Sequence, residues 1–201
     1  MGEFVPITSR RMMLGALAAG AAGAITSGNG SLIGLQRDYG VQPAVLCRTR
    51  EGRHLRRVRY QNAEGFFAVL ERGIHIRARD ILYQSGIVAQ LALSAHLLDV
   101  GFADTWCAKH IGLHVSKSLN CANASGFGHD CSDMERLAVV LSPYGRWRNP
   151  RLEGDVLYYG GFTPDMISPL LQRLLDQVKH VTGHPLPRVS ETMRQPKSVA
   201  R

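Results

Sequence analysis

The N-terminal part of the sequence lacks an apolar run long enough to be a good membrane span. Its apolar stretch covers residues 12–25 and consists mostly of alanine and glycine. A transmembrane helix needs about 20 predominantly apolar residues. The stretch is therefore better interpreted as part of a targeting segment than as a spanning helix.

Aromatic residues are absent from the segment in which positive charge is concentrated. Six arginines lie between Arg48 and Arg59, within a chain of net charge +8, and no aromatic residue separates them. Proteins that bind single-stranded nucleic acid stack its bases on aromatic side chains, so no nucleic-acid partner is expected. We interpret the segment as a solvated surface, although such a run could also meet nucleic acid, anionic lipid or an acidic polymer.

The sequence also lacks internal repeats and any fibrous or wholly disordered composition. Its 201 residues are 45% hydrophobic and 20% charged. This length and composition are sufficient for one domain with a real hydrophobic core.

The first 24 residues have the features of a bacterial export signal. Arg10 and Arg11 follow Ser9, the apolar stretch comes next, and residues 22–24 read Ala-Gly-Ala. This order is typical of a cleavable signal of the twin-arginine type, which predicts a periplasmic or secreted protein. A basic, alanine-rich N-terminus without signal function and an uncleaved signal that acts as an anchor are the alternatives.

The remaining chain divides by composition into three parts. Residues 25–45 are rich in Gly, Ser and Pro and are predicted to be a linker. Residues 46–183 contain the alternating apolar segments of a folded α/β domain. Residues 184–201 are basic and proline-rich and are predicted to be a disordered tail.

Short strands and helices are predicted to alternate within this domain. Residues 74–78, 111–116 and 156–159 are predicted strands, because they are short, apolar and partly alternating or β-branched. The segment from Gly86 to Leu98 is apolar on all sides and is predicted to be a buried helix. A further short helix is expected in residues 62–73, with a glycine as its end.

Capping residues predict the helices in the second half of the domain. Ser132 and Glu135 have the spacing of a capping box, and Pro143 ends the helix that follows them. Pro164 and Pro169 each follow a hydroxyl residue and predict two helix starts. Gly183 is predicted to end the last helix.

One group of polar residues could carry hydrolytic chemistry. Gln90 and Ser94 follow Gly86 at a spacing that puts them on one helix face, and His114 lies on the next predicted strand. A serine hydrolase needs a hydroxyl near a helix N-terminus, an imidazole within hydrogen-bond reach and an acid that orients the imidazole.

The segments "GIVAQLALSAHLL", "CAKHIGLHVS" and "GGFTPDMI" resemble the core of the Clp protease/crotonase-like superfamily. They are most similar to small exported bacterial members. This resemblance spans roughly residues 60–180 and implies a spiral β-β-α fold. It implies that His114 is the general base. Asp165 is the candidate acid, and the alternative for it is a carboxylate in the first turn of a helix, which the helix dipole favours. The resemblance also implies a homo-oligomer, since ring assembly is common in the superfamily.

The sequence departs from the superfamily at the nucleophile. Gln90 occupies the position where the resemblance implies serine, and an amide cannot attack a carbonyl. The leading hypothesis is therefore a catalytically impaired relative that binds a peptide or protein, or has a structural role in the cell envelope. The alternative is an active serine hydrolase that uses Ser94 or Ser85 with His114.

The cysteines and histidines suggest a third hypothesis, a non-enzymatic module stabilised by disulfides or zinc. Export favours disulfides over thiolate ligands, so no metal and no cofactor is expected, and a membrane is expected to be met only through an uncleaved signal. Loop length favours the pairs Cys121–Cys131 and Cys47–Cys107. The residues at zinc-like spacing are Cys107, His110, His114, Cys121, His129 and Cys131.

Overall fold

A computed structural model describes residues 44–73, 77–148 and 160–183 of the chain. The predicted export signal, most of the linker, the tail and the predicted strand at residues 156–159 lie outside this part. The described helices are α1 (Arg50–Glu71), α2 (Ala78–Val100), α3 (Asp104–His110), α4 (Val115–Ala124), α5 (Ser132–Leu141), a 3-10 turn (Tyr144–Trp147) and α6 (Pro164–Thr182).

The α/β prediction is wrong for the described part of the chain, which is about three-quarters helical and contains no strand. The spiral β-β-α fold that the resemblance implied is accordingly not found there. Residues 111–116, predicted as a strand, form the turn after α3 and the first two residues of α4. Gly112 has φ 60° and separates α3 from α4.

Buried residues occur on both sides of this turn. Cys107 in α3, Ile111 in the turn, and Val115 and Leu119 in α4 are all buried. A short apolar run does not by itself distinguish a strand from a buried helix turn, which is why the prediction failed.

Helix α2 is the central element, and the prediction of a buried helix is confirmed. It contacts α1, α4, α5, α6 and the 3-10 turn. It begins at Ala78, eight residues before Gly86, so the last residue of the predicted strand at 74–78 is helical; residues 74–76 are outside the described part. Gly101, with φ 116°, ends the helix.

Gly86 allows a close approach within α2 and does not begin it. A Cβ at this position would lie 2.7 Å from Cγ of Tyr144, well inside van der Waals contact. The glycine that resembled a catalytic turn is therefore a packing residue beneath the 3-10 turn.

Helix α2 also passes a length and composition test for a membrane span. Its segment Arg79–Val100 is long and apolar enough to cross a membrane, but most of this segment is buried inside the protein. This degree of burial is typical of the core helix of a globular domain.

The ends of the other helices agree only in part with the predicted caps. Helix α5 forms as predicted and ends before Pro143, but Ser132 is its first residue and no side chain caps it, so the capping box is wrong. The two predicted starts near Pro164 and Pro169 are one helix, α6, with Pro169 inside it. Gly183 ends α6 in a left-handed conformation, as predicted.

Helix α1 is longer than the predicted helix in residues 62–73, because it also includes most of the arginine-rich segment. The side chain of Thr49 caps it by accepting a hydrogen bond from the backbone N–H of Gly52 at 2.9 Å. Its buried side is formed by Tyr60, Ala63, Phe67 and Leu70.

Candidate functional site

Gln90 and Ser94 lie on α2, as the sequence predicted, but Gln90 has a structural partner. The hydroxyl of Ser118, a fully buried residue of α4, donates a hydrogen bond of 3.0 Å to Oε1 of Gln90. Gln90 thus connects the two helices through a polar contact inside their interface.

Ser94 is a core residue rather than an accessible nucleophile. It is 4% exposed and lies sixteen residues beyond the start of α2. The unpaired N–H groups that could stabilise an oxyanion occur only in the first turn of a helix, so this serine has none beside it. Ser85, the other candidate nucleophile, is also fully buried, and its hydroxyl has no hydrogen-bond partner in the described residues.

His114 is the N-cap residue of α4. Its carbonyl accepts from the N–H of Ser118 at 3.0 Å. Partial desolvation, and then the positive charge of Lys117, lower the pKa of its imidazole. Within the described chain no hydrogen bond joins the imidazole to Gln90 or Ser94.

Asp165 is exposed in the first turn of α6, where a carboxylate interacts favourably with the helix dipole. The part of the chain that the structure describes contains no ion pair or hydrogen bond between Asp165 and His114. The four predicted catalytic residues, Gln90, Ser94, His114 and Asp165, are therefore not brought together as a hydrolytic group.

The candidate metal ligands do not form a site either. The described residues contain no group of three His, Cys, Asp or Glu side chains that could hold a metal. All four cysteines are free thiols, so neither predicted disulfide is present in this structure. Burial raises the pKa of Cys107 to about 12 and that of Cys121 to about 11, which keeps both thiols protonated.

A buried aromatic group on α2 was not anticipated from the sequence. The ring of His96 packs against Phe127 with centroids 4.9 Å apart, and His129 stacks on the same phenyl ring at 5.7 Å. Ser125 Oγ lies 3.4 Å from Nε2 of His96. The other ring nitrogen of His96, Nδ1, is buried without a hydrogen-bond partner in the described chain. Desolvation lowers the pKa of His96 to about 4, so this imidazole is neutral near pH 7.

Three arginines of the basic segment pair with carboxylates of the protein: Arg48, which precedes α1 and lies 3.8 Å from Asp99, and two residues of α1. Arg56 forms an ion pair with Asp99 at the end of α2 and donates to the carbonyl of Thr182 at 3.3 Å. Arg59 pairs with Asp104 at 2.8 Å. These contacts attach α1 to the C-terminal ends of α2 and α6 and to the start of α3.

The other cationic side chains of α1 point to solvent. At about 100° per residue, Arg50, His54 and Arg57 lie within an arc of about 60° on the helix. Arg53 lies next to this arc, and all four residues are exposed. None of these four side chains forms an ion pair or hydrogen bond with the described residues. We call Arg50, Arg53, His54 and Arg57 the basic face of α1.

No protein-family model, curated protein or solved structure matches this chain. The candidate function therefore depends on the geometry of the described residues. The basic face of α1 presents several chemically similar side chains to solvent in a fixed arrangement, whereas the candidate catalytic residues and metal ligands form no such group among the described residues.

Proposed function

We propose that this protein is a non-catalytic helical module of the bacterial cell envelope that binds an anionic partner through the basic face of α1. The division of the arginines supports this proposal. Arg56 and Arg59 have carboxylate partners inside the fold, whereas Arg50, Arg53 and Arg57 are exposed and have none among the described residues.

The absence of catalysis is proposed from the use of the polar residues in packing. Gln90 bonds with a buried hydroxyl, and Ser94 is enclosed in the core. A hydrolase needs its nucleophile and base within about 3.2 Å of each other, and no such pair is formed by the candidate residues. The envelope location follows from the predicted export signal.

Rigidity is a second feature that suits α1 for binding. The ion pairs of Arg56 and Arg59 attach α1 to the neighbouring helices. The exposed cationic side chains therefore extend from a backbone whose position is fixed. A pre-organised surface loses less conformational freedom on association. Opposite charge on the partner would also accelerate encounter.

The proposal is tested by retention on a dextran sulfate matrix in a salt gradient. The double variant Arg50→Gln/Arg57→Gln removes two charges from the basic face. Its matched control, Arg148→Gln/Arg173→Gln, removes two exposed charges outside α1. Both variants have the same net charge. Circular dichroism is used to check that both remain helical.

We expect the control to elute with the wild-type protein and the α1 variant to elute at lower salt. Equal elution of the two variants would show that retention depends on net charge alone, and would contradict the proposal. Complete failure of the wild-type protein to bind would also contradict it.

A further inference from the structure

Helix α1 has an apolar stripe beside its basic face. Val58 and Phe66 are 37% and 38% exposed, and Leu55 is half-buried. At about 100° per residue, these three side chains lie between about 80° and 160° around the helix from Arg50. We call Leu55, Val58 and Phe66 the apolar stripe of α1.

The outer surface of α1 therefore combines two chemistries in adjacent rows. One row presents guanidinium groups and an imidazole. The other presents partly exposed hydrocarbon, with the exposed side chains of Glu51 and Asn62 in the same arc. The opposite side of the helix is buried in the core, so these rows face outward from a folded domain and not from an isolated peptide.

Further apolar side chains precede α1. Val45 and Leu46 are 80% and 40% exposed. The backbone N–H of Cys47 donates to the carbonyl of Gly101 at 2.8 Å, which holds this segment at the end of α2. The exposed apolar pair is thereby fixed near the N-terminal end of α1.

We propose that the anionic partner of α1 is the surface of a phospholipid bilayer that contains acidic headgroups. This inference depends on the proposed function and identifies its partner. Helices that lie in a membrane interface place basic residues at the headgroups and apolar residues at the acyl boundary. The two rows of α1 have this arrangement.

Charge and shape favour a lipid surface over other anionic partners. Nucleic acid would satisfy the arginines but would leave Val58 exposed, and no aromatic side chain interrupts the basic face for stacking with bases. An acidic peptide usually binds in a groove with convergent polar groups, whereas these cations lie along one convex helix. A lipid surface accommodates both rows at once. This proposal differs from the sequence-based expectation that a membrane is met only through an uncleaved signal.

The experiment measures sedimentation of the full chain with vesicles. Vesicles of phosphatidylglycerol mixed with phosphatidylcholine are compared with vesicles of phosphatidylcholine alone. The N-terminal segment with its apolar stretch at residues 12–25 is the same in all variants, so differences between variants in the acidic vesicles report on α1.

Three variants distinguish the contributions of the basic face and the apolar stripe to vesicle binding. Arg50→Gln/Arg57→Gln should weaken partitioning to the acidic vesicles about 30-fold, because each cation near an anionic surface contributes about fivefold. Val58→Ser should weaken it about fivefold through lost burial of the side chain. Val139→Ser, which changes an apolar residue of α5 that is 64% exposed, is the matched control and should have no effect.

The outcomes distinguish this inference from the proposed function. Binding to dextran sulfate without binding to acidic vesicles would overturn the lipid inference and leave the proposed function intact. Failure to bind either would overturn both. Equal effects of Val58→Ser and Val139→Ser, or preferential binding of duplex DNA or polyglutamate over vesicles at the same salt, would also overturn the lipid inference.

Discussion

The Ser118 hydroxyl donates a 3.0 Å hydrogen bond to Oε1 of Gln90 across the interface of α2 and α4. This contact assigns a structural role to the residue that occupies the expected nucleophile position. Glutamine is long enough to reach the neighbouring helix from its own backbone. Its replacement by a serine would shorten the side chain and leave Ser118 without this partner.

The first prediction concerns the stability of this pair. Gln90→Ala should reduce the free energy of unfolding by about 1–3 kcal/mol, because it leaves a buried hydroxyl unsatisfied. Urea unfolding of Gln90→Ala, Ser118→Ala and the double variant measures the coupling between the two residues. A coupling energy of zero would show that the hydrogen bond does not contribute to stability.

The second prediction is that a fluorophosphonate probe does not label the folded protein. Ser94 is buried, and within the described part of the chain no hydrogen bond joins it to an imidazole. The probe requires an activated serine, so mass spectrometry should detect no adduct on the native chain. An adduct that disappears in both Ser94→Ala and His114→Ala would restore the hydrolase hypothesis.

The third prediction uses two glycines in different environments. Gly86→Ala should destabilise the protein by about 1–3 kcal/mol, because its new methyl group would collide with Tyr144. Gly65→Ala, in the middle of α1, has open space around it and should stabilise the helix by up to about 1 kcal/mol. Thermal unfolding of both variants measures whether each substitution raises or lowers stability. Destabilisation by both would contradict the packing described for Gly86.

The fourth prediction concerns the dependence of stability on pH. The pKa of His96 is lowered from 6.5 to about 4 by burial. The unfolded state therefore binds a proton more readily than the folded state between these values. Stability should decrease as the pH falls through this range, by about 2 kcal/mol between about pH 7 and pH 5.

The control for this prediction changes a histidine of the exposed surface. His96→Leu should reduce the loss of stability on acidification, and His54→Gln should leave it unchanged. Urea unfolding at the two pH values measures the effect. An unchanged pH dependence in His96→Leu would contradict the assignment of a neutral, buried imidazole.

The sequence predicted the central helix well because its evidence was local and long. The segment from Gly86 to Leu98 is apolar on every side, and this pattern requires burial whatever the surrounding topology. The strand prediction for residues 111–116 failed for the opposite reason. A short apolar run fits a strand as well as the junction of two short helices, and Gly112 marks this junction.

The predicted site depended on contacts between distant parts of the chain, which a sequence pattern does not reveal. The shared face of Gln90 and Ser94 was predicted correctly, but its neighbour, Ser118, lies on another helix. The two kinds of arginine in α1 were also indistinguishable in sequence. Arg56 and Arg59 differ from the exposed arginines through carboxylates that lie 43 and 45 residues further along the chain.

The most direct measurement is the dissociation constant for soluble dextran sulfate of the two double variants of equal net charge. Arg50→Gln/Arg57→Gln should bind about tenfold more weakly than Arg148→Gln/Arg173→Gln, since it loses two cations from the binding surface. The control should match the wild-type protein. Equal constants for the two variants would show that α1 has no special role in binding and would contradict the function proposed here.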